Sequence, residues 1–331
     1  MIRFGILGCG RIGQVHALSL SRLRGATLAA VADAVPDAAR ALADSYGAEV
    51  RETDAILTAP DIDAVIIGTP TTLHYAQIHA AAAAGKAIFC EKPIDLSSDR
   101  VRECMEAVEA ANVPFLTAFN RRFDPNFAEL ERRLRAGAIG DIEGMILTSR
   151  DPSPPPIGYI KTSGGLFRDM TIHDFDMARF MLAEEPVEVF AAASCLVDPE
   201  IGAAGDVDTA MITLRTASGK LCQINNSRRA TYGYDQRVEV HGASGMLSAV
   251  NVPETTVEQA GGDGFTRAPN MHFFLERYEA AYFNELAHFV DALEAGRSPS
   301  PNATDGLRAQ LIADAAAQSH AEGRPVAVSQ V

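Results

Sequence analysis

The sequence lacks the features that mark membrane-spanning, disulfide-rich or nucleic-acid-binding proteins. Its five cysteines are scattered among 331 residues with no pair at a metal-ligand spacing, and no apolar run approaches the roughly 18 residues of a membrane span. Lysine and arginine number 29 against 43 aspartate and glutamate, a net charge of −14 that argues against nucleic acid or an anionic membrane as partner. Met1 leads directly into strand-like residues with no signal-peptide pattern, so we expect a cytoplasmic protein in a reducing compartment.

Strand-like and helical segments alternate over the first 120 residues. Predicted strands cover 2–8, 26–34, 64–70, 87–93 and 113–120, with a short one near Glu49. Predicted helices cover 12–23, 37–46, 79–84 and 97–112. Strands that alternate with helices indicate βαβ units and a parallel sheet. We therefore predict an α/β domain with a parallel sheet over residues 1–120.

Residues 121–331 have a different pattern, in which longer strands follow one another. A helix over 124–135 precedes predicted strands at 142–151, 187–197, 209–217, 221–230 and 236–245, and helical patterns return at 276–295 and 305–322. Short turns between consecutive strands favour antiparallel pairing. The predicted fold class is α/β: an N-terminal Rossmann domain followed by an α+β domain with a large, mainly antiparallel open sheet. The C-terminal helices are free to pack back on the first domain.

A glycine motif follows the first predicted strand. Gly8, Gly10 and Gly13 form G-x-G-x-x-G between that strand and a helix, with Arg11 and Ile12 inside the motif. The first two glycines permit a tight turn and close approach of a pyrophosphate, and the third permits packing of helix on strand. Phosphates are attracted to the helix N-terminus. A dinucleotide site is the prediction, and a glycine-rich turn without ligand is the alternative.

Asp33, at the end of the second strand, indicates which dinucleotide binds. A carboxylate there accepts hydrogen bonds from both adenine-ribose hydroxyls and repels a 2′-phosphate, which favours NAD over NADP. Arg11 is a complication, because a nearby guanidinium partly neutralises that repulsion. It is also placed to lie over the adenine or the pyrophosphate.

Two further segments carry candidate reactive groups. Glu91-Lys92-Pro93 ends a predicted parallel strand, where ligands usually meet an α/β sheet, and Lys92 there could hold a substrate hydroxyl. Asp169 and His173 are four residues apart in a helical pattern, which predicts that they share one face and together bind and deprotonate a hydroxyl. The plain alternatives are a surface lysine, a helix-capping aspartate and a core histidine.

These motifs together resemble the glucose–fructose oxidoreductase/inositol dehydrogenase/rhizopine-catabolism (Gfo/Idh/MocA) family. The resemblance covers the glycine loop, the Glu-Lys-Pro turn, the GG…D…HD…D run over 164–176 and the closing 323–328 segment. It implies an NAD-dependent enzyme with a Rossmann domain and an open-sheet domain that commonly forms the interface of a homo-oligomer, often a tetramer. By position, Lys92, Asp169 and His173 match the family's catalytic trio: His173 as general base, Lys92 orienting the hydroxyl, and Asp169 holding substrate.

The resemblance also implies residues around cofactor and substrate. Further cofactor contacts are expected at Thr69, Pro70, Thr72, His74, Glu91 and Asn120. Segments 149–152 and 232–235 look most like inositol 2-dehydrogenases, which implies that Asp151 and Tyr234 reach ring hydroxyls, with Arg179 either at the pocket rim or in a structural ion pair. The alternatives for Asp151 and Tyr234 are a cap and strand packing.

The predicted reaction is NAD-dependent oxidation of myo-inositol to its 2-keto product. The same chemistry on scyllo-inositol, another cyclitol or an aldose is the second hypothesis. A non-catalytic NAD-sensing protein is a third. A metal-dependent dehydrogenase that uses His173, Asp174 and Asp176 is disfavoured, because Asp174 should point away from His173 on a helix.

Overall fold

The structure is a computed structural model that describes residues 1–331. It divides into two compact units, one of residues 1–123, 279–310 and 331, the other of 124–278 and 311–330. The division after residue 123 lies close to the expected boundary at 120. Residues 279–310 belong to the first unit instead of the second, because the helix Glu279–Glu294 contributes Leu286 and Phe289 to the first unit's core.

The first unit contains a six-stranded sheet with every pair parallel, in the order β3-β2-β1-β4-β5-β6. The strands are β1 Ile2–Leu7, β2 Ala26–Ala32, β3 Glu49–Val50, β4 Ala64–Ile67, β5 Ala87–Glu91 and β6 Phe115–Ala118. The helices are α1 Arg11–Arg22, α2 Pro36–Tyr46, α3 Thr53–Thr58, α4 Thr71–Ala83 and α5 Ser98–Ala111, followed by a 3-10 helix Asn120–Phe123. This strand order reverses between β1 and β4, as in a Rossmann fold, which confirms the predicted architecture.

Three phenylalanines explain why the helix Glu279–Glu294 completes this unit. The Phe289 ring lies 6.2 Å from that of Phe4 on β1 and 5.7 Å from that of Phe89 on β5, and all three side chains are fully buried. Burying one such side chain stabilises a fold by about 1.5–3 kcal/mol. The sheet therefore needs this distant segment of the chain to cover its apolar face.

The second unit contains a seven-stranded sheet in the order β12-β11-β7-β10-β9-β8-β15. The strands of this sheet are β7 Ile142–Arg150, β8 Pro186–Ser194, β9 Thr209–Thr216, β10 Leu221–Ser227, β11 Asp235–Gly242, β12 Gly245–Ala249 and β15 Val326–Ala327. The strands β13 Glu258–Gly261 and β14 Gly264–Arg267 form a separate hairpin. All neighbours in the large sheet pair antiparallel except β7 and β10. The mainly antiparallel sheet was predicted correctly.

Helices of the second unit and the C-terminal segment complete the element list. They are α6 Pro125–Arg135, α7 Ile157–Ser163, α8 Gly165–Asp169, α9 Ile172–Leu182, α10 Pro199–Ala203, α11 Phe274–Arg277, α12 Glu279–Glu294 and α13 Ala303–Glu322. None of the helices in the structure has the length and apolarity needed to cross a membrane.

Several predicted bounds were wrong. Helix α4 begins at Thr71, not near His79, since Pro70 at its N-cap fixes the backbone just before the first turn. The helix predicted over 276–295 is two helices, because Tyr278 leaves helical geometry at φ −113° and ψ 17°. The helix α7 and the β13–β14 hairpin were not predicted.

Candidate active site

The glycine loop joins β1 to α1 and leaves space above the helix N-terminus. Gly8 has φ +95°, and a Cβ there would lie 2.5 Å from the carbonyl oxygen of Gly68. A Cβ on Gly13 would lie 2.0 Å from the carbonyl oxygen of Gly8. A Cβ on Gly10, by contrast, would meet nothing within 4 Å. Gly8 and Gly13 are thus required by the protein's own backbone, whereas the open space at Gly10 fits a ligand's pyrophosphate.

Asp33 follows β2 and fixes the glycine loop. Its Oδ2 accepts a hydrogen bond from the backbone N–H of Cys9 at 2.6 Å, and its Oδ1 accepts one from the N–H of Val35 at 2.7 Å. The carboxylate is therefore held beside the loop, with lone pairs left for ribose hydroxyls. Arg11 is exposed at the first position of α1.

The other predicted cofactor residues lie after β4, β5 and β6. Because the strands are parallel, these positions share one edge of the sheet with the glycine loop. Thr69 donates its hydroxyl hydrogen bond to Gln77 at 2.6 Å, while Pro70 and Thr72 are exposed. Asn120 is buried at the start of the 3-10 helix, and Ile12 lies 3.2 Å from a Cβ placed on Gly68. This edge is where α/β sheets bind nucleotides.

The Glu91-Lys92-Pro93 turn follows β5, and its Lys92–Pro93 peptide bond is cis. Glu91 Oε1 lies 2.7 Å from Nε2 of the buried His16. His74 is also buried, with Nδ1 3.0 Å from the carbonyl oxygen of Pro93 and Nε2 2.9 Å from that of Thr69. These contacts favour a role for His74 in holding the backbone over direct contact with a cofactor.

Burial lowers the pKa of His74, because desolvation disfavours the charged ring, and the carbonyl oxygens of Thr69 and Pro93 act in the opposite direction. A neutral ring carries one N–H. It therefore donates to one of the two carbonyl oxygens at a time.

In the second unit, Asp169 and His173 lie on two helices and not on one. Asp169 ends α8, and His173 is the second residue of α9. The expected shared helix face was therefore wrong. A turn at Met170 and Thr171 separates the two helices. There the His173 N–H donates to the carbonyl oxygen of Met170 at 3.3 Å, three residues back. His173 remains partly exposed, whereas the residues on either side of it are buried.

A buried polar network fixes the start of α9 against the sheet. Asn226 at the end of β10 donates from Nδ2 to Asp174 Oδ2 at 2.8 Å, and its Oδ1 accepts from the Thr171 hydroxyl at 2.7 Å. Gln236 on β11 donates from Nε2 to the Ser149 hydroxyl at 3.0 Å. Each of these five side chains is at most 2% exposed. Asp174, the residue next to His173, is thus held in a buried network.

The Asp169 carboxylate contacts Tyr159 and Arg228. Tyr159 donates its hydroxyl to Oδ1 at 2.7 Å, and the guanidinium of Arg228 lies 3.3 Å from Oδ2. Arg228 is only 1% exposed, so its charge acts on Asp169 with little screening. Sequence reasoning missed Arg228, Asn226 and Gln236. The one sequence feature that could have indicated these three residues is the polar residues at the ends of predicted strands that are otherwise apolar.

The predicted substrate residues have different surroundings. Asp151 follows β7, and its N–H bonds the carbonyl of Ser227 at 2.9 Å. Tyr234 precedes β11 and is 6% exposed, with its ring edge-to-face on Tyr278 at 5.9 Å.

Arg179 is 6% exposed and lies in an ion-pair network. It donates to both carboxylate oxygens of Glu185, at 2.7 and 2.9 Å, and to Asp176 at 3.3 Å. These contacts favour the structural alternative for Arg179. The structure contains no group of three or more histidine, cysteine, aspartate or glutamate side chains arranged to hold a metal ion.

Comparison with known proteins decides the family. Residues 2–119 match the oxidoreductase family model with an NAD-binding Rossmann fold, and residues 127–248 match the Gfo/Idh/MocA C-terminal domain. The chain belongs to the Gfo/Idh/MocA oxidoreductases. Its first domain is accordingly an NAD-binding Rossmann domain, in agreement with the open glycine loop and the carboxylate of Asp33.

Relatives span the whole length of this Gfo/Idh/MocA chain. Inositol 2-dehydrogenase of Rhizobium meliloti is 55% identical, with 99% of each chain covered. Myo-inositol 2-dehydrogenase of Thermotoga maritima is 45% identical over 100% of this chain and 99% of its own. The structure of scyllo-inositol dehydrogenase from Lactobacillus casei, with bound NAD(H) and scyllo-inositol, is 30% identical and superposes with a TM-score of 0.93 over 100% of both chains.

Proposed function

We propose that the protein is an NAD-dependent dehydrogenase that oxidises the 2-hydroxyl of myo-inositol to 2-keto-myo-inositol (scyllo-inosose). The observation that carries this proposal is His173, a partly exposed imidazole at the start of α9, where Thr171 and Asp174 are buried in a polar network. A base held in this way can take a hydroxyl proton without moving. The full-length identity to inositol 2-dehydrogenases supports the choice of substrate.

Each proposed catalytic residue has one task. His173 accepts the proton of the substrate hydroxyl. Lys92 donates a hydrogen bond to the same hydroxyl oxygen and so orients that hydroxyl. Asp169, fixed by Tyr159 and Arg228, accepts a hydrogen bond from the substrate. NAD, when bound, supplies the hydride acceptor for the carbinol carbon. The residues that would hold it are the glycine loop, Asp33 and the strand-end residues Thr69, Pro70, Thr72 and Asn120.

Asp151 and Tyr234 are the proposed partners of the other ring hydroxyls. A polyol loses water on all its hydroxyls when it binds, so each needs a hydrogen-bond partner from the protein. An isomer that presents a hydroxyl in another direction leaves a partner unsatisfied and binds less well. Scyllo-inositol is the second candidate substrate, because a related dehydrogenase of similar fold is named for it.

Initial rates with NAD across a panel of myo-inositol, scyllo-inositol, other cyclitols and aldoses test the proposal. We expect NADH formation with the highest kcat/KM for myo-inositol. A higher kcat/KM for scyllo-inositol selects the second candidate. Tight NAD binding without turnover of any polyol favours the NAD-sensing alternative and contradicts the enzyme proposal.

Replacing Asp33 should weaken NAD use and relax the preference for NAD over NADP. Asp33→Ala removes both the ribose acceptor and the anchor of the Cys9 N–H. Asp33→Asn keeps a neutral oxygen acceptor for one of the two backbone hydrogen bonds, and removes the charge together with the second acceptor. We expect kcat/KM for NAD to fall by about tenfold or more in both variants, on the basis of one or two lost hydrogen bonds. An unchanged ratio of NAD to NADP efficiency would contradict the role of Asp33.

We also propose that the open face of the large sheet forms a homo-oligomer interface, with a tetramer as the expected assembly. Phe190, Thr213, Gln223, Ile146 and Glu239 form one row across five neighbouring strands. Phe190 is 40% and Ile146 46% exposed, on the face opposite the buried core residues. Exposed apolar groups on such a face are typical of subunit contacts.

Ile146→Lys tests this interface, because a buried unpaired lysine is costly in an interface and harmless on a free surface. Light scattering should show a smaller assembly for Ile146→Lys than for the wild type. Gln318→Lys, at an exposed position of α13 outside this row, serves as a control for added charge. A wild-type protein that is monomeric at all concentrations contradicts the proposal.

A further inference from the structure

Two buried histidines from different helices contact the turn that carries Lys92. His16 lies on α1, directly after the glycine loop, and His74 lies on α4, directly after the Thr69–Pro70 turn. His16 contacts Glu91 before Lys92, and His74 contacts Pro93 after it. Lys92 therefore lies between two residues that are each held by an imidazole.

His16 makes one polar contact, which is with Glu91. Nε2 lies 2.7 Å from Glu91 Oε1, while Nδ1 is buried without a hydrogen-bond partner. The ring is otherwise surrounded by aromatic groups, at 4.9 Å from Phe89 and 6.0 Å from Tyr282. An ionised carboxylate accepts only, so Nε2 carries the proton and donates to Glu91. Because the His16 ring is buried among apolar groups and has one acceptor within reach, its hydrogen bond is made to that acceptor, the Glu91 carboxylate.

The contacts of His74 join two turns at the same sheet edge. Its ring is 1% exposed and lies within 3.0 Å of the carbonyl oxygens of Pro93 and Thr69. Thr69 follows β4 and Pro93 follows β5, and these two strands are paired neighbours. The ring thus ties the backbone after Lys92 to the loop that precedes α4.

We propose that His16 and His74 are positioning residues that hold the Glu91-Lys92-Pro93 turn from both sides and so set the position of the Lys92 ammonium group. Both histidines are buried, and each lies on a helix that begins at the same edge of the sheet as the glycine loop. The proposal rests on the proposed catalytic role of Lys92. It predicts that removing either hydrogen bond lowers turnover while NADH still binds.

Two pairs of nearly isosteric variants test this. His74→Asn keeps an amide donor near the position of Nδ1, whereas His74→Leu keeps the size and removes the donor. His16→Gln keeps a donor near Nε2, whereas His16→Met removes it. For every variant we would measure kcat and KM with the best polyol, the Kd of NADH by fluorescence, and hydrogen exchange of the peptide that spans the turn.

We expect the Leu and Met variants to lose about tenfold or more in kcat, the effect of about one lost hydrogen bond to a catalytic group, and the Asn and Gln variants to remain within about threefold of wild type. The Kd of NADH should change by less than about threefold. Exchange in the turn should accelerate in the Leu and Met variants only. In a Lys92→Gln background, His74→Leu should cause no further loss, because residues that act through one group are not additive.

Three results would overturn the proposal: equal losses in the two members of a pair, NADH affinity that falls in parallel with kcat, or losses that multiply with Lys92→Gln. If His74→Leu does not fold, the His16 pair decides, since His16 contacts Glu91 independently of His74. If the wild-type protein oxidises no polyol, that result contradicts the proposed function and not the positioning role of the histidines. In that case the exchange data alone decide whether the histidines hold the turn.

Discussion

His173→Ala should lower kcat for inositol oxidation by about 10²–10⁴, the usual contribution of a positioned general base. His173 is the one histidine of α9, and the network of Asp174, Asn226 and Thr171 fixes the backbone beside it. The substitution removes the proposed proton acceptor, and none of the hydrogen bonds named for that network involves the His173 side chain. Stopped-flow or steady-state NADH formation at saturating NAD and polyol measures the loss.

Two measurements distinguish a loss of proton transfer from a loss of cofactor binding or of folding. The Kd of NADH and the thermal unfolding midpoint of His173→Ala should match the wild type, because the side chain is partly exposed. His241→Gln, a substitution of an exposed histidine on β11, should leave kcat unchanged. A His173→Ala enzyme with kcat within a factor of about three of wild type would contradict the assignment of the base.

The second large effect concerns Gly13. Gly13→Ala places a Cβ 2.0 Å from the carbonyl oxygen of Gly8, a backbone atom that cannot move without distorting the loop. We expect a loss of about 2–4 kcal/mol in the free energy of unfolding, in the range of severe overpacking, together with loss of NAD binding. Chemical denaturation and NADH fluorescence measure the two losses.

Gly10→Ala is the matched control, because it adds the same methyl group three residues earlier. A Cβ at Gly10 meets nothing within 4 Å, so its stability should differ from wild type by less than about 0.5–1 kcal/mol. NAD affinity should nevertheless fall, since the added methyl occupies the space assigned to the pyrophosphate. Equal stability of the Gly13→Ala variant and wild type, or full NAD affinity of Gly10→Ala, would contradict this reading of the loop.

Much of the first unit was predictable because its signals are local. The glycine motif, the strand before it and Asp33 lie within one βαβ unit, and their spacing alone implies a turn, a helix N-terminus and a ribose partner. The open sheet of the second unit was predictable from consecutive strands and short turns. In both cases neighbouring residues in the chain carry the information.

The parts that were missed depend on contacts between distant residues. The break between Asp169 and His173 follows from the turn at Thr171, whose hydroxyl bonds Asn226, fifty-five residues away. Arg228 reaches Asp169 across fifty-nine residues. No periodicity in either segment indicates such pairings, because they are fixed by the register of β7, β10 and β11.

His16 and His74 illustrate the same limit within the predicted unit. Each sits at an apolar position of a helix, where a single histidine reads as part of the core or, for His74, as a cofactor contact. Only the three-dimensional arrangement reveals that both rings contact the turn around Lys92. Helix α12 likewise joins the first unit through Phe289, a packing that the sequence left open but did not specify.

The most direct test of the proposed reaction follows the hydrogen on carbon 2 of the substrate. Myo-inositol deuterated at that carbon, incubated with enzyme and NAD, should give NADH that carries one deuterium and the 2-keto product that carries none, as measured by mass spectrometry. Turnover should be unaffected by a chelator. Unlabelled NADH, or no NADH at all, would contradict hydride transfer from carbon 2 and with it the proposed function.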